Sequence, residues 1–585
     1  MDNKEIISQF RLMASLMELH DENQFKIRGY TGAVFNLEKV DKPIATMTAE
    51  EIGELDGIGK SMAANIHQLL EKGSFDALEE LTASTPAGVV EMLSIKGIGP
   101  KKIRLIWKEL EIESLDALQK ACEEGRVAGV KGFGEKTQQT ILDGLKYRKA
   151  NVGKLHFSEA EIAANQLIEV IKKGLGEKVP TSFVGPLRRL LEVIDTLELL
   201  VGSLNSDAII KAIEKSGLGE ISLQQSGPYS IRGHMNEPYI TFHIRLCNEK
   251  HFTEKLLLYT GAPLHLNQTL AEGAILRDKL TERAFASEEE AYKHAGLAYI
   301  APELREGSFE IALAQENKLP RLVEMSDLKG ILHNHSTYSD GKNTLKEMAA
   351  YCKELGYEYL GISDHSRSAF YASGLEANRV KDQQVEIHAL NKEMAPFRIF
   401  KGIESDILPD GSLDYETEVL ASFDFIVASV HSVLNMDLQK ATTRLLRAIK
   451  NPFTTMLGHP TGRLLLERKG YPIDHKTVID ACAEEGVIIE INAHPWRLDL
   501  DWRWVHYAIE KGVMLSINPD AHKTEGYHDM RYGLLVGRKG GLTKEMTFNA
   551  LSIAEVAAHF EKRKKRADEM VKVSPSGSLK ETPIG

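Results

Sequence analysis

LKGILHNHSTYSDG, residues 328–341, is the stretch on which the reading of this chain turns. A short apolar run, LKGIL, is followed at once by two histidines in an H-x-H pair and then by an aspartate. The device recurs down the C-terminal half. YLGI precedes SDH (363–365), FRIFK precedes GIESD (402–406), and FIVAS runs into ASVHS (428–432). TTML precedes GHPTGR (458–463), and VMLSI precedes NPDAH (518–522). The donors gathered this way are His333, His335, Asp340, His365, Glu404, His431, His459, Asp520 and His522. In a barrel of alternating strands and helices, the carboxyl ends of the strands form the catalytic face. Nine nitrogen and oxygen donors are too many for one ion. They suit two or three divalent cations sharing a bridging carboxylate, an arrangement that splits phosphate esters. A lone histidine is ordinarily a satisfied polar group; six that each close an apolar run are not accounted for that way.

Apolar runs begin near 328, 358, 397, 424, 454, 486 and 513, with helical patterns between them. This alternation predicts a distorted (β/α)7 barrel over 328–570. A chain of 585 residues, 43% of them hydrophobic, has room for several cores. No apolar run is long enough to span a bilayer. The four cysteines (122, 247, 352, 482) form no CxxC, which argues against both a disulfide framework and a thiolate zinc site. A reducing cytoplasm fits best. The net charge of −12 excludes a globally basic nucleic-acid binder but leaves local binding open.

Residues 1–150 read as all-helical and carry an internal echo. LDGIGKSMAANI (55–66), IKGIGPKKIRLI (95–106) and VKGFGEKTQQTI (130–141) each open a helix on two glycines: Gly57 and Gly59, Gly97 and Gly99, Gly132 and Gly134. This is a helix–hairpin–helix signature. Exposed backbone N–H groups and the helix N-terminus grip a phosphate without reading bases. Lys101 and Lys102, with Arg104 and Lys108, stand beside the second copy. Three copies predict sequence-independent DNA binding, and a monovalent cation at the hairpins is a further candidate ligand. Residues 151–311 mix helical and strand-like runs in an α+β pattern, a polar linker covers 312–327, and the tail 571–585 reads as disordered.

FRLMASLMELHDENQFKIRGY, the three hairpins, GPLRRLLEVIDTLELL, LYTGAPLH, GLAYIAPELREG and the histidine motifs come in an order that resembles a bacterial family X DNA polymerase fused to a polymerase-and-histidinol-phosphatase (PHP) domain. The resemblance implies a trinuclear centre: a first metal on His333, His335, Glu404 and Asp520, a second on Asp340, His365 and His522, and a third on His431 and His459 with Glu404 bridging. It implies manganese-dependent 3′–5′ exonuclease action on DNA, in some members joined by abasic-site or 3′-end cleaning. Glu404 and Asp520 are then the catalytic carboxylates. Arg463 is the candidate cation on the phosphoryl oxygens, its guanidinium fork matching phosphate geometry. Arg497 and Asp499 are candidates for shaping the rim, or for a barrel salt bridge. Imidazole and carboxylate ligands suit Mn2+, Zn2+ or Fe2+.

The middle of the chain departs from the family pattern. Gly185, Arg188 and Arg189 hold the frame, but the serine place is Pro186 and the two aspartate places are Thr196 and Glu198. His243 stands where a third aspartate is expected, and the TGS motif reads Thr260-Gly261-Ala262. Asp195 has the wrong spacing to share a strand face with Glu198. Two-metal nucleotide transfer is therefore expected to be lost. The family's lyase lysine falls on Asn65, which forms no Schiff base, although Lys60 is near in sequence. The expected protein is a monomeric repair nuclease for gapped, nicked or 3′-ended duplex DNA. Its rivals are a polymerase with proofreading, a small-molecule phosphatase, and a non-enzymatic scaffold at DNA ends.

Overall fold

The computed structural model describes residues 1–40, 42–95, 98–270 and 273–573, the side chains of 571–573 excepted. It divides into two compact units, Met1–Val152 and Gly153–Gly585. Gly97 and the tail from 574 onward, both named above, lie outside the described residues.

The first unit is helical, with no strand among its described residues. Phe10 anchors its core, its ring tilted against those of Tyr30 and Phe75 at 5.5 and 5.7 Å between ring centres. Several of its helices start on side-chain caps, which satisfy backbone donors that a helix leaves unpaired. Asp2 and Thr48 close capping boxes with Glu5 and Glu51, and Asn23 and Ser114 cap two more helices. The three hairpin helices, Lys60–Lys72, Pro100–Leu110 and Glu135–Asn151, instead begin on Gly59, Gly99 and Gly134 with no side-chain cap.

The second unit holds both the α+β region and the barrel. A five-stranded sheet runs in the order Thr181–Phe183, Thr196–Val201, Ile240–Leu246, Ser230–Met235, Gly219–Ile221, with the second and third parallel. The barrel is a seven-stranded parallel sheet: Gly330–Ile331, Tyr359–Ile362, Arg398–Asp406, Phe425–Ser429, Met456–Leu457, Ile488–Asn492 and Leu515–Asn518. Its ends nearly close, through a bridge between Asn334 and Ala521. Nearly every strand residue is buried, as parallel strands covered on both faces require, and this is why the runs are mainly apolar rather than alternating. At the amino ends of the strands the barrel is plugged by Phe560 of the helix Ile553–Val573, stacked on Phe425 at 5.1 Å. Gly361 and Gly402 make room for Phe425: a Cβ at either would meet its ring at 2.6 and 2.2 Å. With the bottom sealed, chemistry is confined to the carboxyl ends.

The α+β region is docked on the barrel's flank. Lys539 of the barrel is fully buried, and its Nζ donates to Arg189 O at 2.8 Å, Glu303 O at 3.3 Å and Glu306 Oε1 at 2.5 Å. Arg538 binds Glu303 at 2.7 Å, Arg503 binds Glu192 at 2.8 Å, and His506 stacks on Phe309 at 3.8 Å. The stretch read as a linker belongs to this body. Val323 is buried, and its N–H bonds to Leu542 O at 2.9 Å.

Candidate functional site

Six of the seven strands deliver donors to one point, and Glu404 is at the centre. Its Oε1 lies 3.0 Å from His459 Nε2, 3.2 Å from His431 Nε2 and 3.3 Å from His333 Nε2. Its Oε2 lies 2.9 Å from His365 Nδ1 and 3.7 Å from His335 Nε2. Asp520 Oδ1 is 3.1 Å from His335 Nε2, and Asp340 Oδ1 is 3.4 Å from His522 Nε2. All nine residues named from the sequence are thus in one cluster. Eight of them, all but His459, form three overlapping groups able to hold an ion: His335, Asp340, His365 and His522; His333, His335 and Asp520; and His365, Glu404 and His431. His335 and His365 each stand in two groups, where the sequence reading had placed each in one.

The buried polar atoms fit a metal better than they fit each other. His333 Nε2, His335 Nδ1, His365 Nδ1, His459 Nδ1 and Glu404 Oε2 are buried without a hydrogen-bond partner. The 2.9 Å approach of His365 Nδ1 to Glu404 Oε2 therefore lacks hydrogen-bond alignment. Ligand atoms each about 2.1 Å from a shared cation sit about 3 Å apart. Burial disfavours charge here, yet His431, His333 and His365 hold Glu404 well below the usual carboxylate range. Against the same burial, Glu404 and Asp406 raise His431 to about 10. The backbone is strained at two donors, with φ of 21° at His459 and 53° at Asp520. Glu404 and His333 are fully buried, whereas Asp340 is exposed and His522 half-buried, so the cluster opens to solvent on that side.

Two orienting carboxylates escaped the sequence reading. Glu490 Oε2 lies 2.6 Å from His333 Nδ1, and its Oε1 accepts from the His459 backbone at 3.1 Å. Asp406 Oδ1 lies 2.5 Å from His431 Nδ1. Such outer carboxylates fix the tautomer and aim of an imidazole. A signal for Glu490 was available: a charged residue inside the apolar strand IIEIN.

Arg463 is turned toward the chain. Each of its guanidinium nitrogens is bonded there: Nε to Arg497 O at 2.8 Å, Nη1 to Asp501 at 2.5 Å, and Nη2 to Leu498 O. It braces the 497–501 loop. The cation that reaches a candidate ligand is Arg497, with Nε 3.5 Å from Asp520 Oδ2. Asp499 accepts from both the N–H and the hydroxyl of Thr461 at 2.9 Å, clamping the loop after His459.

In the first unit Gly57 and Gly132 adopt φ of 70° and 89°, turns that glycine permits at little cost. A Cβ at Gly59, Gly99 or Gly134 would meet nothing within 4 Å, so these positions stay open to an outside partner. Lys101 is exposed, and Lys102 lies 5.7 Å over Phe133 of the third hairpin. Arg104 is tied to Asp21 at 2.9 Å, and Lys108 stacks on Trp107. Asn65 donates to Tyr30 OH at 2.7 Å.

In the five-stranded sheet, Thr196 pairs with Thr241 and Glu198 with His243. Glu198 is held by Arg245 at 2.6 Å. Arg188 grips Glu288 with both nitrogens and Arg189 binds Glu306 at 2.9 Å, so neither arginine is unengaged.

Three segments match family models: residues 1–75 a helix-hairpin-helix domain, 89–147 a SAM-like helix-hairpin-helix tandem, and 332–494 a PHP domain. The DNA polymerase/3′-5′ exonuclease PolX of Bacillus subtilis (strain 168) is 35% identical over 95% of this chain and 99% of its own. The chain belongs to the PolX family. The barrel alone also resembles free-standing proteins. A probable phosphatase of Thermoanaerobacter sp. (strain X514) is 25% identical over 36% of this chain and 92% of its own. Another, from Clostridium acetobutylicum, is 31% identical over 33% and 78%. In this PolX-family chain, then, seven of the nine clustered donors lie in the residues matched as a PHP domain, with Asp520 and His522 beyond them, and the hairpins lie in the helix-hairpin-helix segments. Among the described residues no helix is long and apolar enough to cross a membrane. All four cysteines are buried and unpaired.

Proposed function

We propose that this chain is a metal-dependent 3′–5′ exonuclease of DNA whose nucleotide-transfer site has been lost. The observation that carries it is the Glu404 hub, one carboxylate with five imidazoles within 3.7 Å and unpartnered buried nitrogens around it. Divalent ions, up to three and of the Mn2+, Zn2+ or Fe2+ kind, would be held by the nine donors and would acidify water and polarise the phosphoryl group. Glu490 and Asp406 keep His333 and His431 aimed. Arg497, anchored beside Asp520, is the guanidinium nearest to where charge builds on a phosphodiester. Phe370, 85% exposed, and Tyr371, whose ring is 6.5 Å from that of His365, offer faces on which unpaired bases stack. Those faces favour a polynucleotide over a small phosphate ester. The hairpins hold the duplex by its phosphates, in the cytoplasm, with the chain acting as a monomer.

The loss of transfer rests on Thr196, Glu198 and His243. On the strands Thr196–Val201 and Ile240–Leu246 Glu198 is the one carboxylate, and it is bound to Arg245. A 5′-labelled primer on a longer template, given manganese and all four nucleotides, tests the whole reading. Shortening is expected. Extension would overturn the reading of the sheet. An unchanged primer still shifted on a native gel would turn the case toward a scaffold.

Lys101→Ala with Lys102→Ala should weaken DNA binding several-fold on every sequence alike, lowering the slope of log affinity against log salt by about 1 to 2. Anisotropy across a salt series reads this. A loss confined to one sequence would contradict backbone gripping.

A further inference from the structure

Six of the barrel strands lead into donors of the metal cluster. Among the described residues the remaining one, Ile488–Asn492, ends without such a donor. It runs instead into the turn 493–497, which folds around Asp520. Asn492 Nδ2 donates to Asp520 Oδ2 at 3.1 Å, and Arg497 Nε stands 3.5 Å from the same oxygen. His494, half-buried, lies between these two anchors. Its N–H donates to Asn492 Oδ1 at 3.1 Å, and its carbonyl accepts from Arg497 and Leu498 at 2.8 and 3.1 Å. The Trp496 ring stands edge-on to the imidazole at 5.6 Å and lies on His156 at 5.8 Å, so the turn is held from outside.

The two nitrogens of that imidazole are fixed in different roles. Nδ1 accepts the Trp496 N–H at 3.2 Å, so in the neutral ring the proton is on Nε2. Burial, against the pull of Asp520, holds the ring below its ordinary pKa and keeps it neutral. Nε2–H has no acceptor among the described residues. This polarity is the reverse of a metal ligand's. His333 and His431 turn Nδ1 to Glu490 and Asp406, which leaves Nε2 toward Glu404 at 3.3 and 3.2 Å. A cation takes such a bare nitrogen. His494 offers a hydrogen instead, so its partner is an oxygen and it is not a tenth ligand. A neutral donor beside bound cations adds no repulsion and still stabilises charge that grows on a phosphoryl oxygen. We infer that His494 Nε2 donates to a non-bridging oxygen of the scissile phosphodiester, beside Arg497 on the same turn. The inference rests on the nuclease reading above.

Two variants of the full chain separate the donor from the turn. His494→Asn keeps an acceptor at the place of Nδ1 for the Trp496 N–H and removes the far donor. His494→Gln carries an N–H to the place of Nε2 and gives up the near acceptor. On 5′-labelled DNA with manganese, His494→Asn should lower turnover about tenfold or more, and His494→Gln by about threefold at most. Calorimetry with inorganic phosphate on the manganese-loaded chain should rank the two variants in the same order. Bound metal after dialysis should match the wild type in both. Should His494→Asn melt early, His494→Ser, which also keeps a near oxygen, takes its place with the same loss expected. The reverse order of damage would make His494 a brace of the turn, and metal lost from His494→Asn would make it a ligand; either overturns the donor. So would unchanged turnover and phosphate affinity in His494→Asn. If the wild type shortens no DNA, the nuclease reading falls, and the phosphate titration alone then decides for or against the donor.

Discussion

Glu404→Gln should lower exonuclease turnover by about 10³-fold or more, roughly 4 kcal/mol of barrier, and leave DNA binding within about twofold. The amide keeps the shape of the side chain and removes its charge, so five imidazoles lose the group that faces them all. Bound metal measured after dialysis should fall, and the rise in melting temperature on adding manganese should shrink, because a ligand stabilises a fold only as far as it binds it. Full activity in the variant would place the chemistry elsewhere in the chain. Lost activity with undiminished metal would leave Glu404 a catalytic role but not that of a hub.

The second large effect is on stability. Lys539→Met should cost about 3 kcal/mol, since two backbone carbonyls and part of the Glu306 carboxylate lose a buried donor that no water replaces. Urea unfolding followed by the fluorescence of Trp502, whose ring lies 4.3 Å from Nζ, reports on this spot. There is a pH signature as well. Burial lowers the Lys539 ammonium from the ordinary 10.5 to about 8. Between those values the unfolded chain keeps the proton that the folded one gives up, so wild-type stability should rise as pH climbs from 8 toward 10.5. Lys539→Met should lack that rise. A loss below about 1 kcal/mol, with the pH slope intact, would mean that the contact is not buried in solution.

What the sequence disclosed and what it hid follow from the range of the forces involved. The barrel strands were legible because burial on both faces leaves a largely apolar run, and the nine donors because they cluster at or shortly after the ends of such runs. The helical unit was legible from its paired glycines. Glu490 was hidden because its partner His333 is 157 residues away, and only barrel closure joins them. Arg463 was named because a guanidinium fork matches phosphate geometry, which says nothing of where the chain turns that fork. The turn after His459 carries its guanidinium instead to Asp501, 38 positions on. The shared positions of His335 and His365 depend on ring orientation, about which spacing says nothing. Nor could the docked flank be read: Glu192 and Arg503 are 311 residues apart, and each alone looks like any surface charge.

That docked flank also constrains how such a chain can be pruned by evolution or by the bench. Cutting ahead of the first barrel strand would lay bare Lys539, Trp502, His506 and Tyr532, which now face protein, and strand a buried ammonium without its acceptors. A free-standing barrel has to finish that side with its own polar surface. In this chain Arg189, Glu192, Glu303 and Glu306 finish it instead, so the flank serves as masonry for its neighbour.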